Sequence, residues 1–341
     1  MRWERTVTVI GCHVGGEDNH VIVGGVLAPP GASMLEKKRH LETHGDELRR
    51  WLLLEPRGKP TLCMNLVVPS TRPDCDIGLI IMESTDYPPM SGSNTICTVT
   101  VLLETGMLPM REPITTLTLD TPAGPVPVQA RCRGGKVERV ELTNVPCFAT
   151  HLGARVDVEG LGAISVDVAY GGAFFAIVDA ASLGVTVEPK AARELVTVGN
   201  RITAAVVRQL PVEHPEFPEL RGVTFTEFAM PFLGPGTVSR NAVVVAPGRI
   251  DRSPCGTGTS ARLAVLHARG QLAAGQGFIH ESIIGSRFEA GIARETTVGG
   301  RPAIVPTIAG QAWITGIFQH GIDPSDPLRS GYTLPDLWSA D

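Results

Sequence analysis

Short apolar runs that alternate with polar positions recur along the chain, and they predict a protein built mainly from β-strands. Glycine- and proline-rich segments typical of turns separate these runs. Pro127 removes a backbone N–H from one run, so that strand is expected at an edge of its sheet. The predicted strands cover residues 6–10, 61–68, 76–82, 114–119, 126–130, 137–142, 223–225, 242–246, 303–308 and 312–318.

A second pattern, with apolar residues three and four positions apart, predicts two long helices. One covers residues 33–54, and Ser33 at its start is a suitable N-cap. The other covers residues 191–210 and stops at Pro211. The chain therefore combines many strands with a few helices.

Two stretches that lie 164 positions apart in the chain resemble each other, Met90–Leu108 and Pro254–Leu272. Over the eighteen positions from Ser91 onward six residues are identical, where ordinary composition would give about one. The identical pairs are Gly92 and Gly256, Thr95 and Thr259, Val101 and Val265, Leu102 and Leu266, Gly106 and Gly270, and Leu108 and Leu272. This similarity predicts a duplicated chain with two related halves.

Each of the two stretches has the same predicted form. A strand leads into a loop with proline, a small nucleophilic side chain, glycine and threonine, and a helical pattern follows that ends at a glycine. The start of such a helix carries free backbone N–H groups at the positive end of its dipole. Two such starts facing each other would hold one small anion between Ser91 and Cys255.

Composition limits the class of protein. A length of 341 residues suggests two domains, and 38 glycines and 27 prolines among 43% hydrophobic residues indicate a turn-rich α/β or mostly-β fold. The formal charge of −5, with no clustered basic residues, argues against a nucleic-acid partner. No apolar run is long enough for a membrane span, and the charged start does not resemble a signal peptide. We therefore expect a cytoplasmic protein without a membrane partner.

The cysteines point to a single reactive thiol. Their number, seven, is odd, and no Cys-x-x-Cys pair occurs, so neither a disulfide framework nor a metal site is indicated. Cys255 stands in a proline-flanked, glycine-rich loop before a predicted helix, where the dipole favours the thiolate. We expect the pKa of this thiol to fall toward neutrality and Cys255 to act as a base or nucleophile. The alternative is a buried, inert cysteine.

Other chemistries fit the second loop less well. A phosphate-binding loop needs a lysine that is missing here, and Gly256 and Gly258 supply only two of the three glycines of a dinucleotide fingerprint. A thiol hydrolase would need a histidine, and His13 or His280 could serve. Such an enzyme gives no reason for a second, matching loop. A reaction that moves a proton at a Cα uses one acid/base group on each face of that carbon, so it does explain two matching loops.

Four segments resemble parts of the proline racemase family, which includes hydroxyproline epimerases and trans-3-hydroxy-L-proline dehydratases. Two of them are the loops, Met-Ser-Gly-Ser-Asn-Thr at 90–95 and Asp-Arg-Ser-Pro-Cys-Gly-Thr-Gly-Thr-Ser-Ala at 251–261. The others are Tyr-Gly-Gly-Ala-Phe-Phe-Ala-Ile-Val at 170–178 and Ile-Gly-Ser-Arg-Phe at 284–288. The resemblance implies two α/β (α+β) halves of the diaminopimelate epimerase type, each with a mostly antiparallel sheet around a central helix. It also implies an active site in the cleft between them.

The resemblance also implies how the chain is divided and what it binds. The segment Asn144-Val145-Pro146 is a candidate linker, so the N-terminal half is expected at 1–148, completed by a C-terminal segment near 312–341, and the second half at 149–311. The expected ligand is a hydroxyproline, without any cofactor or metal. A homodimer is a candidate assembly.

Site residues follow from the resemblance position by position. The acid/base pair of the family falls on Ser91 and Cys255. The carboxylate-binding backbone N–H groups fall on Gly92, Ser93, Gly256 and Thr257. Asp251, four residues before the second catalytic position, is expected to meet the ring nitrogen.

The chain departs from the family's common patterns at its first loop. Racemases and 4-hydroxyproline epimerases have cysteine at both catalytic positions and usually histidine two residues after the first, whereas this chain has Ser91 and Ser93. A serine hydroxyl is far less acidic than a thiol, which disfavours reversible transfer between two faces. The common dehydratases are asymmetric too, but they keep the first cysteine and have threonine at the second position.

These features leave three functional hypotheses. The first is a trans-3-hydroxy-L-proline dehydratase that forms Δ1-pyrroline-2-carboxylate, since one face of that substrate carries both the α-hydrogen and the hydroxyl. The second is a 4-hydroxyproline or 3-hydroxyproline 2-epimerase in which Ser91 is a weak second acid/base. The third is a non-catalytic binder of proline-like amino acids. We take the dehydratase as the leading hypothesis.

Overall fold

The computed structural model describes residues 3–245, 248–335 and 337–338. Contacts between Cα atoms divide the chain into two compact units. The N-terminal unit comprises Met1–Leu142 and Gly310–Asp341, and the C-terminal unit comprises Thr143–Ala309. Both units consist mostly of sheet with few helices, so the predicted α+β class is confirmed.

The N-terminal unit contains eight strands and three helices among its described residues. The strands are β1 (Arg5–Val14), β2 (Glu17–Gly24), β3 (Leu62–Val68), β4 (Ile77–Met82), β5 (Ile114–Thr121), β6 (Gly124–Arg133), β7 (Lys136–Thr143) and β17 (Ala312–Ile322). The helices are α1 (Met34–His44), α2 (Glu47–Leu53) and α3 (Gly92–Glu104). The strands pair in the order β17-β1-β2-β3-β4-β5-β6-β7.

The C-terminal unit contains nine described strands and two α-helices. The strands are β8 (Phe148–Val158), β9 (Gly162–Tyr170), β10 (Phe174–Asp179), β11 (Val223–Ala229), β12 (Val238–Val245), β13 (Arg249–Ile250), β14 (Gly277–Glu281), β15 (Arg287–Val298) and β16 (Arg301–Gly310). The helices are α4 (Ala192–Gln209) and α5 (Gly256–Ala268). The main strands pair in the order β8-β9-β10-β11-β12-β14-β15-β16, and β13 adds a short pairing with β12.

The two units repeat one topology. Along each order the neighbours pair antiparallel, antiparallel, parallel, antiparallel, parallel, antiparallel and antiparallel. The helices α3 and α5 start 164 positions apart, and both span 13 residues. Just beyond these helices, Gly106 and Gly270 have positive φ values of 72° and 68°, as residues after a helix end often do. The equal spacing and topology agree with a duplication.

Each unit builds its core around one central helix. The side chains of α3 are buried on every face from Gly92 to Leu103, and the helix packs against β1, β2 and β17. The helix α5 packs against β8, β9 and β10, and most of its residues are buried. Both helices are therefore core elements, and the first turn of each is largely buried within its own unit.

The structure changes two of the predicted elements. The helix expected over 33–54 is two helices, because the chain leaves the helical conformation at Gly45 after α1; Ser33 is the N-cap of α1, as predicted. The strand β6 is not an edge strand, since β5 and β7 pair with it on either side. Pro127 is tolerated because β7 pairs with β6 only from Val128 onward. The last residue of the strand predicted at 242–246, Ala246, lies outside the described residues.

Candidate active-site loops

The first loop places Ser91 at the start of α3. Ser91 is the N-cap with an extended backbone, φ −151° and ψ 130°, but its side chain makes no capping bond to the helix. Instead, Ser91 Oγ accepts a hydrogen bond from Asn94 Nδ2 at 3.0 Å and lies 3.3 Å from Ser93 Oγ. Within the described residues of this unit, no carboxylate or imidazole is hydrogen-bonded to Ser91. The hydroxyl therefore has no base in its own unit that could activate it.

The amides of Gly92 and Ser93 remain available at the same helix start. Neither amide has an acceptor among the described residues of the N-terminal unit. The first helical bond of this turn runs from Thr95 N to Ser91 O at 3.0 Å. Free N–H groups at the positive end of a buried helix form a site for a small anion.

The second loop places Cys255 at the start of α5 in a strained conformation. Its φ of 63° and ψ of 107° make it the one non-glycine residue with positive φ in the described part of the chain. Such a conformation costs about 1–3 kcal/mol and is concentrated at functional sites. The sulfur accepts a hydrogen bond from Gly258 N at 3.4 Å and lies 3.6 Å from Thr257 Oγ1. This backbone conformation thus directs the thiol toward the first turn of α5.

The thiol of Cys255 is less acidic than the sequence predicts. Burial raises its pKa well above the usual value, and the charge of Asp251 raises it further. Hydrogen bonds from Thr257 and Gly258 lower the pKa but do not outweigh burial. The expected fall toward neutrality is therefore wrong, because Cys255 is only 7% exposed and has lost the water that would solvate a thiolate.

Asp251 organises the turn that precedes Cys255. Its Oδ1 atom accepts hydrogen bonds from the backbone N–H of Ser253 at 2.8 Å and from Ser253 Oγ at 2.9 Å. The Ser253 hydroxyl in turn accepts a bond from Cys255 N at 3.1 Å. No described residue hydrogen-bonds to Asp251 Oδ2. One carboxylate oxygen thus supports the loop, and the other remains available for a cationic ligand.

The free amides of the second loop belong to Gly256 and Thr257. Among the described residues of the C-terminal unit, neither amide has an acceptor, while Thr259 N already donates to Cys255 O at 2.8 Å. The seven predicted site residues therefore form two groups. Ser91, Gly92 and Ser93 surround the start of α3, and Asp251, Cys255, Gly256 and Thr257 surround the start of α5.

The paired glycines at 171 and 172 pack against the second loop. A Cβ atom on Gly171 would lie 2.1 Å from Thr257 O and 2.6 Å from Ala261 N. Asn144 joins the two segments, since its Nδ2 atom donates to Gly171 O at 3.0 Å and to Ser260 Oγ at 2.8 Å. The neighbour approached by these glycines is thus the first turn of α5. Sequence reasoning missed Asn144, although it stands in a segment that has the features of a linker.

The histidines considered as hydrolase partners have other neighbours. His280 Nδ1 lies 2.9 Å from Thr259 Oγ1, and its Nε2 lies 3.6 Å from a carboxylate oxygen of Glu227. His13 Nδ1 accepts a loop hydrogen bond from Gly16 N at 3.4 Å. The contacts of His280 within its unit therefore do not pair it with Cys255 in a hydrolase arrangement.

Metal-ligating side chains are not gathered into a cluster in the described ranges. Residues 3–245, 248–335 and 337–338 contain no group of three or more His, Cys, Asp or Glu side chains arranged to hold a metal ion. None of the helices in these ranges is both long and apolar enough to cross a bilayer.

Comparison with known proteins finds close relatives. The sequence model of the family described as Proline racemase matches residues 9–333. The crystal structure of a hydroxyproline epimerase from Agrobacterium vitis, with bound trans-4-hydroxy-L-proline, is 43% identical with a TM-score of 0.93, and the match covers 100% of this chain and 99% of that one. The structure of a probable proline racemase from Agrobacterium radiobacter K84, with bound carbonate, is also 43% identical, with a TM-score of 0.91 and coverage of 97% and 98%.

More distant proteins share the fold alone. A phenazine biosynthesis protein of the PhzF family from Bacillus anthracis is 12% identical, with a TM-score of 0.57 and coverage of 93% of this chain and 100% of that one. At this identity the likeness shows a common architecture and carries no information on the reaction.

Proposed function

The chain belongs to the proline racemase family, and from that premise we propose that it is a cofactor-independent trans-3-hydroxy-L-proline dehydratase. The observation that carries this choice is the chemical inequality of the two loops. Cys255 offers a thiol, whereas Ser91 offers a hydroxyl with no base hydrogen-bonded to it among the described residues of its unit. One good acid/base group suits a reaction completed on one face of the ring.

We assign substrate binding to the free groups of the second loop. In this proposal the amides of Gly256 and Thr257 hold the carboxylate. The ring ammonium binds the open Oδ2 atom of Asp251. The relative from A. vitis binds trans-4-hydroxy-L-proline, which supports a hydroxyproline as the ligand here.

Binding of the ammonium also activates the thiol. Burial raises the pKa of the Cys255 thiol, and the negative charge of Asp251 raises it further by opposing ionisation. A substrate cation on Asp251 compensates that charge, so the pKa of the thiol falls as the substrate binds. Substrate binding thus favours formation of the Cys255 thiolate, which is the base of the reaction.

The reaction then balances with a single acid/base group. In trans-3-hydroxy-L-proline the hydroxyl lies on the same ring face as the α-hydrogen. The Cys255 thiolate takes the α-proton, and the loop amides stabilise the negative charge that develops on the carboxylate. The thiol returns this proton to the departing hydroxide, water leaves, and the resulting enamine tautomerises to Δ1-pyrroline-2-carboxylate. Ser91 takes no part in this proton transfer.

A second candidate function is 4-hydroxyproline 2-epimerisation. It is favoured by the 43% identity to a hydroxyproline epimerase over the full chain. In this reaction Ser91 would have to deliver or accept a proton on the face opposite Cys255. The hydroxyl bonded by Asn94 is a weak group for that task, so epimerisation should be slow relative to dehydration.

The deciding experiment offers the purified protein trans-3-hydroxy-L-proline, trans-4-hydroxy-L-proline and cis-4-hydroxy-D-proline in D2O. The proposal expects the cyclic imine from the first compound and little inverted product from the other two. Rapid inversion with deuterium at Cα, and no imine, would reject the dehydratase in favour of the epimerase. Protection against thermal unfolding without any turnover would identify a binding protein.

Two variants separate the roles of the loops. Cys255→Ala should abolish imine formation, because it removes the base. Ser91→Ala should retain a large share of the dehydratase activity and lose any epimerase activity, whereas Ser91→Cys should raise epimerisation by supplying a second thiol. Equal losses of both activities in Ser91→Ala would contradict the assignment of one face to the dehydration.

A further inference from the structure

A buried carboxyl group without a hydrogen-bond partner lies behind the second loop. Glu227, on β11, is completely inaccessible to solvent, and neither of its carboxyl oxygens has a hydrogen bond from a described residue. An ionisable neighbour is His280, whose Nε2 atom lies 3.6 Å from Glu227 Oε1 and is also without a hydrogen bond among the described residues. Leaving such groups unsatisfied costs stability, so their retention calls for an explanation.

The carboxyl group of Glu227 reaches the turn that carries Cys255. A Cβ atom built on Gly258 would lie 3.1 Å from Glu227 Oε2 and 3.3 Å from Cys255 Cβ. Gly258 is also the residue whose N–H donates to the Cys255 sulfur. Because residue 258 is a glycine, the carboxyl group of Glu227 and the Cβ atom of Cys255 can both lie close to its backbone.

Three elements contribute a polar or charged group to the surroundings of Glu227. Burial raises the pKa of Glu227 to about 8, while the positive charge of Arg262 on α5 and the nearby amide of Asn241 on β12, which does not meet hydrogen-bond geometry, lower it. His280 on β14 stays neutral, because burial, followed by the charge of Arg262, lowers its pKa to about 3. At neutral pH the cluster thus holds an uncharged acid, an uncharged imidazole and one guanidinium.

We propose that Glu227 is a positioning residue for Cys255: as an uncharged acid it permits the thiolate to form, and after losing its proton its negative charge opposes the thiolate. Ionised Glu227 raises the pKa of the Cys255 thiol, as does the charge of Asp251. The consequence for turnover, a loss of activity at high pH, rests on the proposed function. The effect on the thiol itself does not.

The test measures the thiol without substrate. Alkylation of Cys255 by iodoacetamide is followed from pH 6 to 10 by mass spectrometry of its peptide, in the wild type and in Glu227→Gln. We expect similar rates at pH 6.5 and a rate about three- to tenfold higher in the variant at pH 9.5, because only the wild type acquires the charge. Glu219→Gln, which removes an exposed carboxylate from the same unit, should follow the wild type at every pH.

Parallel alkylation profiles of the wild type and Glu227→Gln would overturn the proposal, whichever reaction the enzyme catalyses. If Glu227→Gln does not fold, Arg262→Gln supplies the second test. Removing the guanidinium keeps Glu227 protonated to higher pH, so the thiol should remain reactive over a wider alkaline range. A narrower or unchanged range in Arg262→Gln would contradict the assigned role.

Discussion

Gly171 offers a sharp test of how the β9–β10 turn supports the second loop. Replacing it by alanine adds a methyl group whose ideal position is 2.1 Å from Thr257 O and 2.6 Å from Ala261 N. Both contacts are with backbone atoms of α5, so no side-chain rotation can relieve them. Asn144 ties the Gly171 carbonyl to Ser260 of the same helix, which prevents the turn from moving away freely.

The size of the effect follows from the overlap. Ordinary contacts of a Cβ atom are 3.4 Å or longer, so the turn and the helix must separate by more than 1 Å. Overpacking of this kind costs about 1–3 kcal/mol, occasionally more, and we expect the upper part of that range for Gly171→Ala. For a unit of this size a loss of about 2–3 kcal/mol lowers Tm by roughly 4–12 °C.

The assay compares thermal unfolding of Gly171→Ala with that of Gly277→Ala. A methyl group added at Gly277 would meet no atom within 4 Å, and this residue has no positive φ, so its substitution makes the same chemical change without a clash. We expect Gly277→Ala to stay within about 0.5 kcal/mol of the wild type. If the two variants unfold at the same temperature and retain the same activity, the close approach of the turn to α5 is not what the structure indicates.

Three further substitutions test the fold and its dependence on pH. Ser33→Ala removes the hydroxyl that accepts from Glu36 N, and it should lower the free energy of unfolding by about 1 kcal/mol in urea, with an unchanged m-value. Asp120→Ala removes the buried carboxylate that accepts hydrogen bonds from Ser70 Oγ, Thr71 N and Thr71 Oγ1, and it should lower the free energy of unfolding by about 1–3 kcal/mol. Asp120→Asn keeps one acceptor oxygen and should lower it less. Glu227 is protonated in the folded state up to about pH 8 but ionises near its ordinary pKa when unfolded, so the folded state binds the extra proton and stability falls as pH rises between these values. In urea titrations the free energy of unfolding should therefore fall less between pH 5 and pH 8.5 in Glu227→Gln than in the wild type. An equal fall in both proteins would refute a buried, uncharged Glu227.

Much of the fold can be predicted from the sequence because its signals are local. The starts of α3 and α5 follow from glycine and small polar residues after a strand, and Gly106 and Gly270 mark the ends of both helices. The duplication can be recognised because six residues remain identical between the two loop–helix stretches at a constant offset of 164 positions. Ser33 identifies the N-cap of α1 through the same kind of short-range chemistry.

The rest depends on contacts between residues far apart in the chain. The pKa of Cys255 rises because strands from several segments enclose it, which no motif around the loop reveals. Glu227 lies in a largely buried strand, and only the pairing of β11 with β12 and of β12 with β14 brings it to His280. The tolerance of Pro127 likewise depends on where β7 ends its pairing.

The position of β17 has a consequence for the order in which the protein folds during synthesis. β17 pairs with β1 from Val14 back to Arg5, yet about 300 residues separate the two strands along the chain. The continuous C-terminal unit can leave the ribosome and fold before the nascent chain reaches β17, whereas the N-terminal unit must wait with β1 unpaired on that side. Domains usually complete themselves in order of translation, and here that order is reversed. An unpaired strand of this kind is a natural target for chaperones that shield exposed β-sheet edges until translation ends.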